Sequence, residues 1–171
     1  HPSHATIGGR LLAAVLAAAL LVACGGSDSN DSNPRTAALD VPFSAADGGS
    51  ARLGDFAGTP VVVNLWATWC PPCQEEMPEL ELLQQKLKGK LLVIALSVDD
   101  SIDAVKDFKA THNPSFTMLW DNAKQTPAIF GISKYPETFL INPHGQIIYQ
   151  FSGPKKWASP EALDYLLTIM R

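Results

Sequence analysis

Two cysteines, Cys70 and Cys73, carry the first chemical signal in this chain. They lie in the run Trp69-Cys70-Pro71-Pro72-Cys73, between an apolar stretch over 61–66 and an amphipathic one over 75–87. A buried strand that turns into a helix at a cysteine pair can hold a redox dithiol. At a helix start, unpaired backbone N–H groups and the macrodipole favour negative charge. Such a position draws a thiol pKa down from about 8.5 into a range of roughly 3.5–7.5. Cys70 is therefore the expected nucleophile, and Cys73, one turn on, is placed to close the disulfide and resolve a mixed intermediate. Pro71 suits the first helical turn, where a missing N–H costs nothing. A reactive cysteine needs access, so Trp69 and Pro71 should border an exposed surface. A purely structural disulfide is the competing reading, but so short a loop restrains the unfolded chain little. Zinc would need a second cysteine pair or a histidine cluster. The histidines, His1, His4, His112 and His144, are scattered, and the remaining cysteine, Cys24, is remote.

The elements that must position this pair follow from periodicity. The run over 61–66 is apolar on both faces and reads as a central strand. The helix over 75–87 carries a stripe at Leu80, Leu83 and Leu87, with Pro78 expected to kink it and Gly89 to end it. A second buried strand is expected over 91–98. Ser101 can cap a helix that turns Ala104, Val105 and Phe108 inward. A strand over 116–120 and a short helix over 123–130, interrupted or begun by Pro127, come next. Strands over 137–142 and 146–151 flank Pro143-His144-Gly145 as an antiparallel hairpin. Ser159 caps a closing helix with Pro160 in its first turn. Upstream, 39–53 reads as a hairpin turning at Asp47-Gly48-Gly49. The order implies an α/β domain over 39–171, with a mixed β-sheet flanked by helices and an N-terminal β-hairpin added.

The motif resembles thioredoxin, and the wider pattern is similar to the membrane-tethered thiol:disulfide reductases of the TlpA/ResA type, which are DsbE-like. The matching residues run from Asn64-Leu65-Trp66-Ala67-Thr68-Trp69 through the cysteine pair to Gln74-Glu75-Glu76-Met77-Pro78. A second block matches over Tyr135-Pro136-Glu137-Thr138-Phe139-Leu140-Ile141-Asn142-Pro143-His144-Gly145. The resemblance implies a cis Pro136 facing the dithiol, with Tyr135 offering its backbone to a bound peptide. It implies that Glu76, like the glutamate at this place in ResA-like reductases, is linked to cysteine protonation. A solvated helix residue is the competing reading for Glu76, and the expected one for Glu75. Asp100 is a weaker acid–base candidate. Trp66 and Trp69 should be structural, bordering the site rather than doing chemistry, His112 and His144 should lie in surface loops, and Trp157 has no assignable place.

Residues 1–23 read as an export signal, with Arg10 followed by an apolar run over 11–22. Leu21-Val22-Ala23-Cys24 resembles the bacterial lipobox, which implies lipidation at Cys24 after cleavage before it. A plain secretory leader with an unrelated cysteine and an uncleaved anchor remain the alternatives. Residues 24–38 are expected to be a flexible tether, since 25–34 hold no apolar side chain. Gly25 rather than Asp after the lipid cysteine points to the outer membrane by the enteric rule, which does not transfer to all bacteria. The net charge of −4 and the lack of a Lys/Arg run exclude a nucleic-acid field.

The expected chemistry is extracytoplasmic reduction of protein disulfides, without a cofactor, by a membrane-anchored monomer. The resemblance implies a DsbD- or CcdA-like membrane thiol reductase as electron donor, and a role in cytochrome c or metal-centre maturation. A disulfide-forming oxidase and a non-catalytic tethered binding module are the rival readings. A peroxidase would need a lone attacking cysteine.

Overall fold

The computed structural model describes residues 38–170. The predicted leader, Cys24 and the tether up to residue 37 lie outside the described residues. Ala38, the last position of that predicted tether, is buried.

Seven strands form one sheet in the order β2-β1-β5-β4-β3-β6-β7. They are β1 (Phe43–Ala45), β2 (Ser50–Ala51), β3 (Val61–Trp66), β4 (Leu92–Ser97), β5 (Thr117–Trp120), β6 (Glu137–Ile141) and β7 (Ile147–Ser152). β3, β4 and β5 are parallel, and β6 and β7 run antiparallel beside β3. β1 pairs antiparallel with both β2 and β5. Its turn to β2 uses Gly48 and Gly49 at φ of 101° and 75°, a conformation that side chains resist. A 3-10 turn at Leu53–Phe56 leads into β3.

The helices are α1 (Pro71–Lys86), α2 (Ile102–His112), α3 (Thr126–Phe130) and α4 (Pro160–Ile169). Alternation along the strands builds two cores. Val62, Trp66, Val93, Met118 and Leu140 pack with Leu80 and Leu83 of α1, Val105 and Phe108 of α2 and Leu166 of α4. On the opposite face Val63, Leu65, Ile94, Leu96 and Phe139 pack with Phe130 of α3 and Leu53. Every residue of β3 is buried, which accounts for a run that is apolar except at Asn64.

α1 begins four residues earlier than the apolar stripe suggested. Cys70 is its N-cap, and Pro71 and Pro72 occupy its first positions, where no helical N–H is needed. It also runs on through Pro78 as one helix. Gln74 and Pro78 are both exposed, so water can serve the carbonyl that Pro78 leaves without a donor. The predicted caps hold: Ser101 Oγ accepts from Asp103 N at 3.1 Å, and Ser159 Oγ from Ala162 N at 3.2 Å.

Candidate functional site

β3, β4 and β5 are parallel, so their carboxyl ends reach one edge of the sheet, where clefts in such folds collect ligands. β6 runs the other way and therefore starts at that same edge. Leu65 pairs with Glu137, which sets Pro136 beside the segment leaving β3. That segment, Ala67 to Cys70, leads directly into α1.

Cys70 and Cys73 form a disulfide with their Cα atoms 5.3 Å apart. Burial separates them: Cys70 keeps 6% of its surface exposed and Cys73 keeps none. A visiting sulfur therefore meets Cys70 first. Trp69 is 60% exposed and meets the half-buried Tyr135 edge-on, ring centroids 6.0 Å apart. Pro71 is exposed, and the Tyr135–Pro136 peptide is cis. Trp69 and Tyr135 thus meet next to Cys70 in the chain, and the β3–β6 register brings Pro136 to the same end of the sheet.

The electrostatics of the helix start differ from expectation. An N-cap side chain normally accepts from the N–H of the second or third helical residue. Here the second is Pro72, which has none, and the third, Cys73, donates to Cys70 O at 3.1 Å. Gln74 N donates to the same carbonyl, also at 3.1 Å. No backbone donor of this first turn is left for the Cys70 sulfur. The two prolines thus remove part of the stabilisation that a thiolate usually finds at a helix start.

The segment before Cys70 is clamped by a residue the sequence reading missed by one position. Asp99, buried at the end of β4, accepts from Thr68 N at 3.0 Å, Thr68 Oγ1 at 2.6 Å and Ser97 Oγ at 2.6 Å. The Asp99 carbonyl accepts from Trp120 Nε1 at 2.8 Å and Lys124 Nζ at 2.7 Å. Gln74 Nε2 donates to the Thr68 carbonyl and closes the loop onto α1. Asp100, the residue singled out instead, points to solvent and pairs with Lys124 at 2.8 Å. That hydrogen bond and the Lys124 charge hold its carboxyl below the usual range.

Glu76 is not a solvated helix residue. It is buried one turn past Cys73, on the same face of α1, while Glu75 is exposed. Its Oε1 accepts from Trp157 Nε1 at 2.6 Å and from the Lys155 backbone N–H at 2.9 Å. Its Oε2 accepts from Asn64 Nδ2 at 2.9 Å. Burial pushes the carboxyl above the ordinary range, and the bonds from Trp157, Lys155 N and Asn64, with the Lys155 charge, offset part of that rise. Trp157 therefore has a place, as a donor to this carboxyl. Trp66 is structural: it is buried against Phe108, centroids 4.7 Å apart, in the same core cluster as Cys70 and Cys73. His112 is the last residue of α2 rather than a loop residue, and stacks on Phe108 at 4.0 Å. His144 sits in the exposed turn before β7.

The family model described as Redoxin matches residues 29–167. The chain is 35% identical over 108 residues to the thiol-disulfide oxidoreductase ResA of Bacillus thuringiensis subsp. konkukian, covering 63% of this chain and 62% of that protein. The match thus spans less than two thirds of that relative's length. Among solved structures, a Chlorobium tepidum protein assigned as the thiol:disulfide interchange protein DsbE aligns with a TM-score of 0.70 at 27% identity, over 78% of this chain and 95% of that one. MTB dsbF, in mixed oxidised and reduced forms, aligns with a TM-score of 0.67 at 25% identity, over 79% and 98%. The shared arrangement is the thioredoxin-like fold, a mixed sheet between helices.

Proposed function

Because this chain belongs to the Redoxin family, we propose that it is a thiol-disulfide oxidoreductase that reduces protein disulfides outside the cytoplasm. One observation carries the reading. A slightly exposed cysteine at a helix start is bonded to a fully buried partner, at the end of the sheet where the cis Tyr135–Pro136 peptide leads into β6. The Cys70 thiolate attacks one sulfur of a substrate disulfide, and the other substrate sulfur leaves as a thiolate and takes up a proton. Cys73 then gives up its proton and attacks the Cys70 sulfur. The second substrate thiolate leaves and is protonated in turn. Two electrons and two protons pass from the protein dithiol to the substrate disulfide. Glu76, one turn from Cys73, is the base that receives the Cys73 proton. Tyr135 and Pro136 hold the extended substrate backbone, with Trp69 and Pro71 flanking it.

The leader-like residues 1–23 and the lipobox-like Cys24 support attachment of the domain to a membrane by lipid. A DsbD- or CcdA-like membrane thiol reductase would then return the disulfide to the dithiol. Apocytochrome c haem motifs and copper-assembly proteins are suitable substrates. The protein should reduce insulin disulfides with dithiothreitol as electron source, and a potential well below about −150 mV is expected. No turnover would overturn the reading in favour of a binding module, and a potential well above that value in favour of an oxidase.

The proline pair bears on direction, because a poorly stabilised Cys70 thiolate makes the dithiol a better reductant. Pro72→Ala restores an N–H at the second helical position. It should lower the Cys70 pKa by about 1 unit, since a hydrogen bond to a charged group contributes roughly 1.5–3 kcal/mol. The reduction potential should rise by up to about 30 mV. Ultraviolet titration of the thiolate and redox equilibration with glutathione measure the two shifts.

A further inference from the structure

Asn64 stands in the middle of β3, in an otherwise apolar strand, with no exposed surface. Its Nδ2 donates both to Glu76 Oε2 at 2.9 Å and to Thr138 Oγ1 at 3.0 Å. Its Oδ1 is buried without a partner among the described residues. Asn64 and Thr138 are cross-strand partners in the β3–β6 register, and Thr138 lies two residues beyond Pro136.

This arrangement satisfies only one charge state of the carboxyl. An ionised glutamate accepts and cannot donate. The groups bonded to Glu76 all donate: an indole N–H, a backbone N–H and an amide NH2. Oε1 already holds two of them, so a proton arriving on the carboxyl belongs on Oε2, where it faces the Asn64 NH2. A half-turn of the amide replaces that NH2 with Oδ1, the acceptor that lacks a partner. The Thr138 hydroxyl, which accepts in the structure, can then donate to the same oxygen. One end of the amide stays unpaired in either orientation, so that cost does not choose between them. The charged side chain acting on Glu76 is Lys155, from the segment after β7. Cys73 and Glu79 are the titratable neighbours one turn to either side on α1, Glu79 accepting from Ala158 N at 3.2 Å and pairing with Lys156 at 3.6 Å, and β3 and β6 present the neutral Asn64 and Thr138.

We propose that Asn64 is a positioning residue whose amide turns over as Glu76 gains or loses its proton, carrying the carboxyl's charge state to Thr138 and the β6 strand behind Pro136. The amide gives a buried proton acceptor a partner both before and after it takes the Cys73 proton. The proposal rests on the functional reading for what the proton does, but the amide turn itself can be measured without catalysis.

The experiment uses the reduced, isotope-labelled full chain and follows the Glu76 carboxyl carbon and the Asn64 side-chain amide by NMR through a pH titration. Above the carboxyl midpoint, the Asn64 amide protons should give cross-relaxation to Thr138 and to the Glu76 methylenes. Below it those contacts should vanish, and the Asn64 amide nitrogen should shift with the same midpoint. Glu76→Gln at neutral pH should show the low-pH pattern, because its amide N–H must donate to Asn64 Oδ1. Unchanged contacts through the wild-type midpoint would overturn the proposal, as would a wild-type Asn64 orientation in Glu76→Gln. The wild-type titration decides the matter alone if the variant does not fold. Wild-type insulin turnover, measured on the same sample, separates the two readings. Turnover with a fixed amide sinks only this proposal, and a turning amide without turnover sinks only the functional reading.

Discussion

Cys73→Ser should stall the protein on its substrate: turnover falls on the order of a thousandfold or more, and mixed disulfides through Cys70 accumulate. The basis is the unequal exposure of the two sulfurs, 6% for Cys70 and none for Cys73. A substrate disulfide reaches Cys70, the first bond forms there, and only Cys73 lies close enough to break it. Serine cannot act as the second sulfur, so the covalent intermediate persists. Cys70→Ser should lose turnover to the same degree and trap nothing, because the remaining thiol is buried. Non-reducing gels of cell extracts, followed by identification of the captured partners, check both halves. Trapping by Cys70→Ser instead would reverse the order of attack. The captured proteins would also name the substrate class.

Glu76→Gln should remove a pH-dependent limb from two curves at once. Burial raises the carboxyl above its ordinary value of 4.5, despite its three hydrogen bonds. Between 4.5 and the raised value the folded protein holds a proton that the unfolded chain has already released. The stability from this group is therefore fully present below 4.5 and is lost as pH rises through the folded value. Above that value the buried carboxylate subtracts a constant amount. Glutamine does not titrate, so urea unfolding of the variant should lack this decline. Activity runs the opposite way. A protonated Glu76 cannot accept the Cys73 proton, so wild-type turnover should rise with pH through the same window. The variant should lose that rise and about a hundredfold in rate at neutral pH, the low end for general base catalysis. A shared limb in both pH–rate profiles would remove Glu76 from the proton path.

What could be read in advance was what neighbouring residues encode. Val61–Trp66 announces a central strand by five apolar residues around Asn64. Ser101 and Ser159 announce helix starts by residue type, and the cysteine pair announces its chemistry by spacing. The expectation for Pro136 came through resemblance to a family, since nothing local marks a proline as cis. The failures share a cause: they are pairings across the fold. Trp157 meets Glu76 across 81 residues, and Asp99 meets Thr68 across 31. A periodicity window sees neither. Asp99 and Asp100 are identical to a pattern reader, and only the end of β4 decides which one turns inward. The two signals for α1 report different things: the stripe at Leu80 and Leu83 marks the packed face from 75 on, while Pro71 after Cys70 marks the first turn, where the helix begins.

The carboxyl at Glu76 is finished by residues from near the chain's other end, Lys155 and Trp157. A ribosome delivers the cysteine pair well before it delivers those two. For that interval the Glu76 carboxyl lacks the indole and the backbone N–H that hold its Oε1. The catalytic carboxyl of the proposed mechanism is therefore complete only once the closing stretch has been synthesised and has settled against α1.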